Sequence, residues 1–240
     1  MTFDRFRCRP AFGTVWHSRP AALTALALAV AVLPACASTA GGGGPPDPAF
    51  EERAETATRP QHRLNVTFDW NITDRDARFN GRGVLRLDRD YRARVDLFGP
   101  RGETLAAAIV DGPTMRVVPA GAEGLLPPPA MLWSTLGVFR RPAGATLSGT
   151  DATDSGFTLR YEGDGERWTF AFAGDALGDT EWRAGGGRRT VALTGTTAFR
   201  TPQQAVFRDW TEFREIVLRV TDVEESNGFD ADVWTLPGRD

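Results

Sequence analysis

The hydrophobic residues of this chain follow two periods, one typical of β-strands and one typical of helices. Between residues 64 and 73, apolar and polar residues alternate strictly, which is the period of a half-buried β-strand. The same pattern predicts further strands at 82–87, 92–98, 104–110, 114–119, 158–161, 167–172, 180–183, 188–196, 204–210 and 215–224, with 230–235 as a last edge strand. Many of the intervening turns are short and contain Asp or Gly, so neighbouring strands are expected to pair antiparallel.

Two segments have the features of helices instead. Asp47 followed by Pro48 is a typical N-cap and first helical residue, and it predicts a short helix over residues 50–58. As a helix, residues 130–139 would be apolar around most of its circumference, which is typical of a helix enclosed on several sides. The apolar stripe of this second predicted helix, at spacings i, i+4 and i+7, consists of Leu132, Leu136 and Phe139.

The N-terminal region has the pattern of a secretory signal peptide. Residues 21–33 carry no charge, are preceded by four arginines, and are too few to span a bilayer, which takes about 20 apolar residues. They end in Leu33-Pro34-Ala35-Cys36, which resembles the lipobox of bacterial lipoproteins. We therefore predict a signal peptide over residues 1–35 and acylation of Cys36, which would anchor the chain to a membrane. The alternative is cleavage elsewhere, with Cys36 an incidental thiol.

Composition is consistent with an exported, membrane-tethered domain. The other cysteine, Cys8, would leave with the signal peptide, so the mature chain has no internal disulfide. Residues 36–47 read as the acylated cysteine and a flexible Gly/Pro linker, and residues 48–240 as one β-rich domain. Removal of residues 1–35 takes four basic and one acidic residue from totals of 28 and 31, leaving a net charge of −6. An acidic domain argues against nucleic acid as a partner.

The stretch 94–105, followed by Asp111-Gly112, resembles the central hairpin of the LolA/LolB-like lipoprotein-localisation family. In that family a strand ends in a Gly/Asn-Pro-x-Gly turn, and the apolar helix that follows these strands serves as a lid. The resemblance covers residues 64–142, and the lipobox and linker fit the outer-membrane receptor branch, LolB. Ala37 in place of Asp also favours the outer membrane, by analogy with enterobacterial sorting rules.

The resemblance implies a mainly β fold, in which a single curved antiparallel sheet forms a half-open β-barrel closed by short lid helices. It implies binding of acyl chains, from lipoproteins or other lipids, and a periplasmic LolA-like carrier as a partner. The lid residues would be Leu132, Leu136 and Phe139, although the same apolar stripe equally fits a fixed core helix. The residues predicted to line the apolar cavity are Val66, Phe68, Trp70, Leu85, Leu87, Val95, Leu97, Trp168, Phe170 and Leu218. Alternation alone equally allows these side chains to fill an ordinary packed core.

The loop of the hairpin departs from the receptor pattern. It consists of Pro100, Arg101 and Gly102, and the receptor branch has an exposed leucine where this chain has Arg101. Because the guanidinium is permanently charged, Arg101 cannot act as an apolar wedge in a membrane, although it can contact lipid phosphate.

No catalytic pattern stands out in the sequence. The predicted mature chain has one histidine, His62, no cysteine besides Cys36, and no G-x-S-x-G turn. The acidic residues of 222–232 lack the spacing of a calcium loop. We therefore predict neither a metal nor another cofactor, and a binding protein rather than an enzyme. The alternatives are a structural envelope lipoprotein with a filled core that acts as a protein-interaction module, and an envelope hydrolase.

Overall fold

The structure is a computed structural model that describes residues 43–236. Cys36 and the predicted signal peptide lie outside the described residues. The helices are α1 (Pro48–Thr58) and α2 (Pro129–Thr135), with 3₁₀-helices at Ala122–Leu125 and Ala231–Trp234. The strands are β1 (Leu64–Asp74), β2 (Ala77–Asp88), β3 (Arg92–Phe98), β4 (Thr104–Asp111), β5 (Thr114–Val118), β6 (Thr146–Thr153), β7 (Gly156–Gly163), β8 (Glu166–Ala173), β9 (Ala176–Ala184), β10 (Gly187–Thr196), β11 (Pro202–Asp209) and β12 (Arg214–Glu225).

All twelve strands form one antiparallel sheet, in the order β5-β4-β3-β2-β1-β12-β11-β10-β9-β8-β7-β6. Strands β1 and β12 pair along their whole length at its centre and join the two halves of the chain. The sheet curves without closing, because β5 and β6 remain unpaired with each other at its two edges. The predicted half-open barrel is confirmed.

One long connection crosses the open side of this half-barrel. Residues 119–145 run from edge strand β5 to edge strand β6 and contain the first 3₁₀-helix and α2. Because the two edges lie on opposite sides of the concavity, the connection must pass over the concave face. The position of the apolar segment above the sheet therefore follows from the topology.

Helix α1 begins as predicted, and α2 ends earlier than predicted. The Asp47 carboxylate accepts a hydrogen bond from the N–H of Ala49 at 3.0 Å. Helix α2 ends at Thr135 because Gly137 takes a left-handed conformation with φ 74°. The N–H groups of Gly137 and Val138 then bond to carbonyls of the last turn, which is a Schellman ending. The predicted helix over 130–139 is therefore too long at its C-terminal end.

Two further predictions are corrected by the structure. Strand β6 was not predicted, because its sequence has little apolar alternation and much of it is exposed at the sheet edge. Residues 230–235 form a 3₁₀-helix instead of an edge strand. The side chain of Arg94 donates to the carbonyls of Val233 and Thr235, at 2.8 and 3.2 Å. Those carbonyls bind a side chain on the convex face, so they do not enter a β-ladder.

The last residues of the predicted linker are bound to the domain. Gly44 pairs with Thr150 of β6 as an isolated antiparallel bridge. The N–H of Gly44 also donates to the Asp151 carboxylate at 2.8 Å, and the N–H of Asp47 donates to the Thr150 hydroxyl at 3.1 Å. This bridge covers part of the β6 edge. None of the helices within residues 43–236 is long and apolar enough to cross a membrane.

Candidate functional site

The concave face of the central strands is apolar because their registers match. Trp70 of β1 lies opposite Leu218 of β12, and Val66 lies opposite Leu85 of β2. Directly paired residues of an antiparallel sheet point to the same face, so these side chains share the concave side. All the concave residues of β1 between Val66 and Ile72 are at most 5% exposed.

Two glycines of β2 let the aromatic rings of β1 lie flat across the neighbouring strand. A Cβ at Gly83 would lie 2.2 Å from the ring of Phe68, and one at Gly81 would lie 2.8 Å from the ring of Trp70. The indole N–H of Trp70 also donates to the carbonyl of Arg82 at 2.9 Å, which fixes the ring. Any side chain at Gly83 would push the Phe68 ring toward the concavity.

A small apolar cavity lies between this face and the connection over it. Its volume is about 40 Å³, room for roughly one water molecule. Its lining is apolar apart from Thr135 and Thr201. The lining residues are Val66, Phe68, Trp70, Ile72, Leu85, Val95, Leu97, Leu125, Leu126, Pro127, Leu132, Thr135, Leu136, Thr201, Pro202, Ala205, Ile216, Leu218 and Val220.

Seven of the ten predicted cavity residues lie on this cavity, and three lie elsewhere. Leu87 borders a neighbouring groove near the start of β1. Trp168 lies beside Trp182 at the wall of another surface groove. Phe170 is packed into an aromatic cluster with Phe139, the two ring centres being 4.9 Å apart.

The two halves of the concavity are filled differently. In the half formed by β7 and β8, Phe139 packs against Tyr161, Phe170 and Phe172, and the rings of Phe157 and Phe172 stack at 4.4 Å. Each aromatic pair of this kind contributes about 0.5–1.5 kcal/mol beyond area burial. This aromatic half is a packed core, and the cavity is confined to the other half.

The lid residues divide in the same way. Leu132 and Leu136 border the cavity, whereas Phe139 belongs to the aromatic cluster. The N–H of Phe139 donates to the Thr58 hydroxyl at 2.9 Å, and the indole N–H of Trp133 donates to the Gly112 carbonyl at 2.7 Å. These bonds fix the C-terminal part of the connection, so only its N-terminal part rests on apolar contacts.

A second hollow of about 330 Å³ adjoins the cavity. It is a mixed groove, lined both by apolar residues such as Leu193 and by polar residues such as His62. Three residues border both spaces, namely Leu136, Thr201 and Pro202. These three residues therefore form the wall between the apolar cavity and the mixed groove.

Several residues that line the cavity lie where no periodicity marks them, so the sequence pattern did not predict them. Leu125, Leu126 and Pro127 come from the connection, Thr201 comes from the β10–β11 loop, and Pro202 is the first residue of β11. Ile216 and Val220 were detectable, because they alternate with Leu218 along β12. Their pairing with β1 places them on the same face as Leu218.

The predicted hairpin loop joins β3 to β4 and is exposed. The N–H of Gly99 donates to the Glu103 carbonyl at 2.8 Å, and Gly102 is left-handed with φ 83°. Pro100 and Arg101 lie at its exposed tip. The guanidinium of Arg101 therefore lies where the resemblance placed an apolar residue.

Tyr161, in the aromatic cluster, is a titratable residue near the site with a shifted pKa. Burial, together with the nearby negative charge of Glu51, raises the pKa of Tyr161 above its ordinary value, so its phenol stays neutral. Within residues 43–236, no three His, Cys, Asp or Glu side chains are placed to hold a metal ion. His62 forms an exposed pair with Glu225 at 2.8 Å.

A curved antiparallel sheet with an apolar concave face, crossed by one helical connection, defines the class of LolA-like half-barrels. The structure is similar to that of a LolA superfamily protein from Nitrosomonas europaea, with a TM-score of 0.57, 13% identity, and coverage of 80% of this chain and 98% of that chain. It is also similar to a DUF1329 family protein from Desulfovibrio piger, with a TM-score of 0.51, 9% identity, and coverage of 80% and 98%. No family model matches the sequence, and no curated protein matches it.

Proposed function

We propose that this chain is a LolB-like envelope lipoprotein that binds acyl chains on its concave face and takes part in lipoprotein localisation to the outer membrane. The observation that carries this proposal is the apolar cavity between β1, β2, β12 and the connection. Acylation at Cys36 would anchor the domain to the outer membrane on its periplasmic side. The LolA-like fold supports a LolA-like carrier as the partner that delivers the chains.

The structure represents a closed state in this proposal. The cavity of about 40 Å³ is far below the roughly 300–1,000 Å³ of typical small-molecule sites. An acyl chain therefore enters only if side chains of the connection leave the concave face. The residues to be displaced are Leu125, Leu126, Pro127 and Leu132.

Displacement of this segment breaks few polar interactions. Within the described part of the chain, the hydrogen bonds of residues 120–132 are all made within the connection 119–145, such as that from the N–H of Leu126 to the Glu123 carbonyl at 3.2 Å. Its attachment to the sheet is apolar. An acyl chain that replaces those leucines buries the same concave surface, so the exchange is close to neutral in hydrophobic free energy.

Arg101 sets the expected mode of release. The hairpin loop carries a cation at the position of the receptor's exposed leucine, so this loop contacts lipid phosphate and does not insert into acyl chains. Transfer of cargo would then be driven by the difference in apolar burial between the cavity and the membrane.

Native mass spectrometry of residues 41–240, purified from cells, tests the binding proposal. This fragment forms a compact unit of its own. We expect a co-purifying acyl lipid, and we expect Leu132→Glu to abolish it, because a carboxylate in the cavity opposes apolar binding. Thermal unfolding checks that the variant is folded, and Leu105→Glu, at a half-buried site away from the cavity, is the matched control.

A second candidate, a structural envelope module with a filled core, is favoured by the small volume of the closed cavity. Depletion of the protein in the cell separates the two candidates. Loss of other lipoproteins from the outer membrane supports the transport function. Normal delivery of those lipoproteins, together with the absence of bound lipid, supports the structural module instead.

A further inference from the structure

Three large apolar side chains are exposed within residues 43–236, and all lie at one end of the sheet. They are Phe79, Trp210 and Phe213, with exposures of 50%, 48% and 72%. Trp210 and Phe213 lie in the turn between β11 and β12, and Phe79 follows the adjacent turn between β1 and β2. Single exposed apolar residues are ordinary, but their restriction to two adjoining turns is not.

The structure holds these two turns together. The N–H of Arg75 donates to the Phe213 carbonyl at 3.3 Å, and the Arg214 guanidinium binds the Asp74 carboxylate at 2.6 Å. Phe213 has a left-handed backbone with φ 56°, which is unusual for a bulky residue. The turn therefore keeps an aromatic ring in solvent despite a backbone cost.

Asp209 fixes the base of the same turn. Its carboxylate accepts hydrogen bonds from the N–H groups of Thr211 and Glu212, at 2.9 and 3.1 Å. It also binds the guanidinium of Arg189 at 2.7 Å. Burial of Asp209 opposes its ionisation, but these donors outweigh burial and lower its pKa, so the carboxylate is charged at neutral pH.

The three exposed rings point in different directions. Phe79 lies opposite Ile72, so it is on the cavity side of the sheet. The indole N–H of Trp210 lies 3.3 Å from the hydroxyl of Thr190, on the convex side. Phe213 is at the tip between them. A flat protein surface would cover one of these directions, whereas a fluid bilayer surrounds an inserted tip on all sides.

Unpaired arginines surround the rings. Arg75, Arg78 and Arg101 are exposed at this end of the sheet, and none forms an ion pair with another described residue. The neighbouring carboxylates of Asp74 and Glu212 share the single guanidinium of Arg214, and Asp76 and Glu103 are further exposed acids of these turns. The four arginines and four carboxylates at this end therefore balance, and three of the arginines are free to bind phosphate.

We propose that this end of the sheet is a membrane-docking surface, in which Trp210 and Phe213 enter the interface of a phospholipid bilayer while Arg75, Arg78 and Arg101 contact lipid phosphates. Aromatic side chains with neighbouring cations are typical of membrane interfaces. If Cys36 is the anchor, the eight residues to Gly44 reach at most about 29 Å, which keeps the domain at the bilayer. The mixed groove beside Leu136 lies at the opposite end and remains accessible.

Sedimentation of the unacylated fragment 41–240 with lipid vesicles tests this surface without the anchor. We expect binding to vesicles of phosphatidylethanolamine with phosphatidylglycerol and to vesicles of phosphatidylcholine, and a blue shift of tryptophan fluorescence that is lost in Trp210→Ser. Arg75→Gln with Arg78→Gln should weaken binding to the anionic vesicles about 25-fold, since each surface arginine contributes about fivefold. Trp210→Ser with Phe213→Ser should weaken binding to both kinds of vesicle at least about tenfold.

Arg200→Gln is the matched control, because Arg200 is exposed at the opposite end of the sheet and should leave binding unchanged. Absence of vesicle binding by the fragment would overturn the proposal, as would equal binding by the tip variants and the control. The docking proposal and the acyl-binding proposal can be tested independently of each other. Leu132→Glu, which should abolish lipid uptake, leaves the tip intact and should still bind vesicles.

Discussion

The wall between the apolar cavity and the mixed groove offers a sharp test of the proposed acyl-chain binding. Leu136 is half-buried at the end of α2 and contacts both spaces. In Leu136→Ala, hollows of about 40 and 330 Å³ become one space of that combined volume. That volume lies within the roughly 300–1,000 Å³ range of small-molecule sites, whereas the wild-type cavity lies far below it.

The cost of this substitution is moderate. A fully buried Leu→Ala change costs about 2–5 kcal/mol, and a half-buried leucine should cost about 1–2 kcal/mol. For a domain of this size, that corresponds to a fall in Tm of about 2–8 °C. The gain is in binding, because each further methylene of a ligand that becomes buried contributes about 0.8 kcal/mol, or about fourfold in Kd.

A series of saturated fatty acids of increasing length measures this gain by displacement of an environment-sensitive apolar dye. In the wild type, the gain in affinity per methylene should stop at a shorter chain length than in Leu136→Ala, and the longest acids should bind the variant at least about tenfold more tightly. Leu147→Ala is the matched control, since Leu147 is also half-buried but borders neither hollow. If the limiting chain length is identical in wild type and Leu136→Ala, or shifts equally in the control, Leu136 does not separate the two hollows.

Three other substitutions probe the same structure. Gly83→Ala should destabilise the fold by about 1–3 kcal/mol in chemical denaturation, because its methyl group overlaps the Phe68 ring, and should lower dye uptake as that ring moves into the cavity. Trp133→Phe should cost about 1 kcal/mol, because it removes the hydrogen bond to Gly112, and should speed ligand exchange in stopped-flow measurements. Asp209→Ala should cost about 1–3 kcal/mol at pH 7 because it removes three hydrogen bonds to a buried carboxylate and leaves their partly buried donors without it. Because the folded pKa of Asp209 is lowered, its stabilisation is full above the unfolded pKa of about 4 and is lost as pH falls through the folded value. Denaturation of wild type and variant at pH 7 and pH 3 should therefore show a smaller difference at pH 3, and an unchanged difference would contradict this role.

Much of the sheet was predictable from local pattern. The alternation from Leu64 onward located β1, and the same period located ten of the other strands to within a few residues. Asp47 and Pro48 located the start of α1, because capping and the fixed φ of proline act within a few residues. Strand β6 escaped detection, because an edge strand exposed on much of its surface needs no apolar alternation.

Half of the candidate site was predictable for a similar reason. Val66, Phe68 and Trp70 had to face the same side of β1, and that side had to be covered. Nothing in the local pattern distinguished Leu97, which borders the cavity, from Phe170, which is packed in the aromatic cluster. Both are apolar residues of alternating strands, and their difference depends on what lies across the concavity.

The sequence by itself determined which side chains share a face, where the chain turns, and that an apolar segment must cover the sheet, because these follow from periodicity and backbone preference over short distances. The tertiary structure alone decided how that cover is divided: Phe139 fills one half, and Leu132 and Leu136 leave a hollow in the other. Only the tertiary structure also placed Trp210 and Phe213 beside the β1–β2 turn, since that proximity comes from the pairing of β1 with β12, strands from the two ends of the domain.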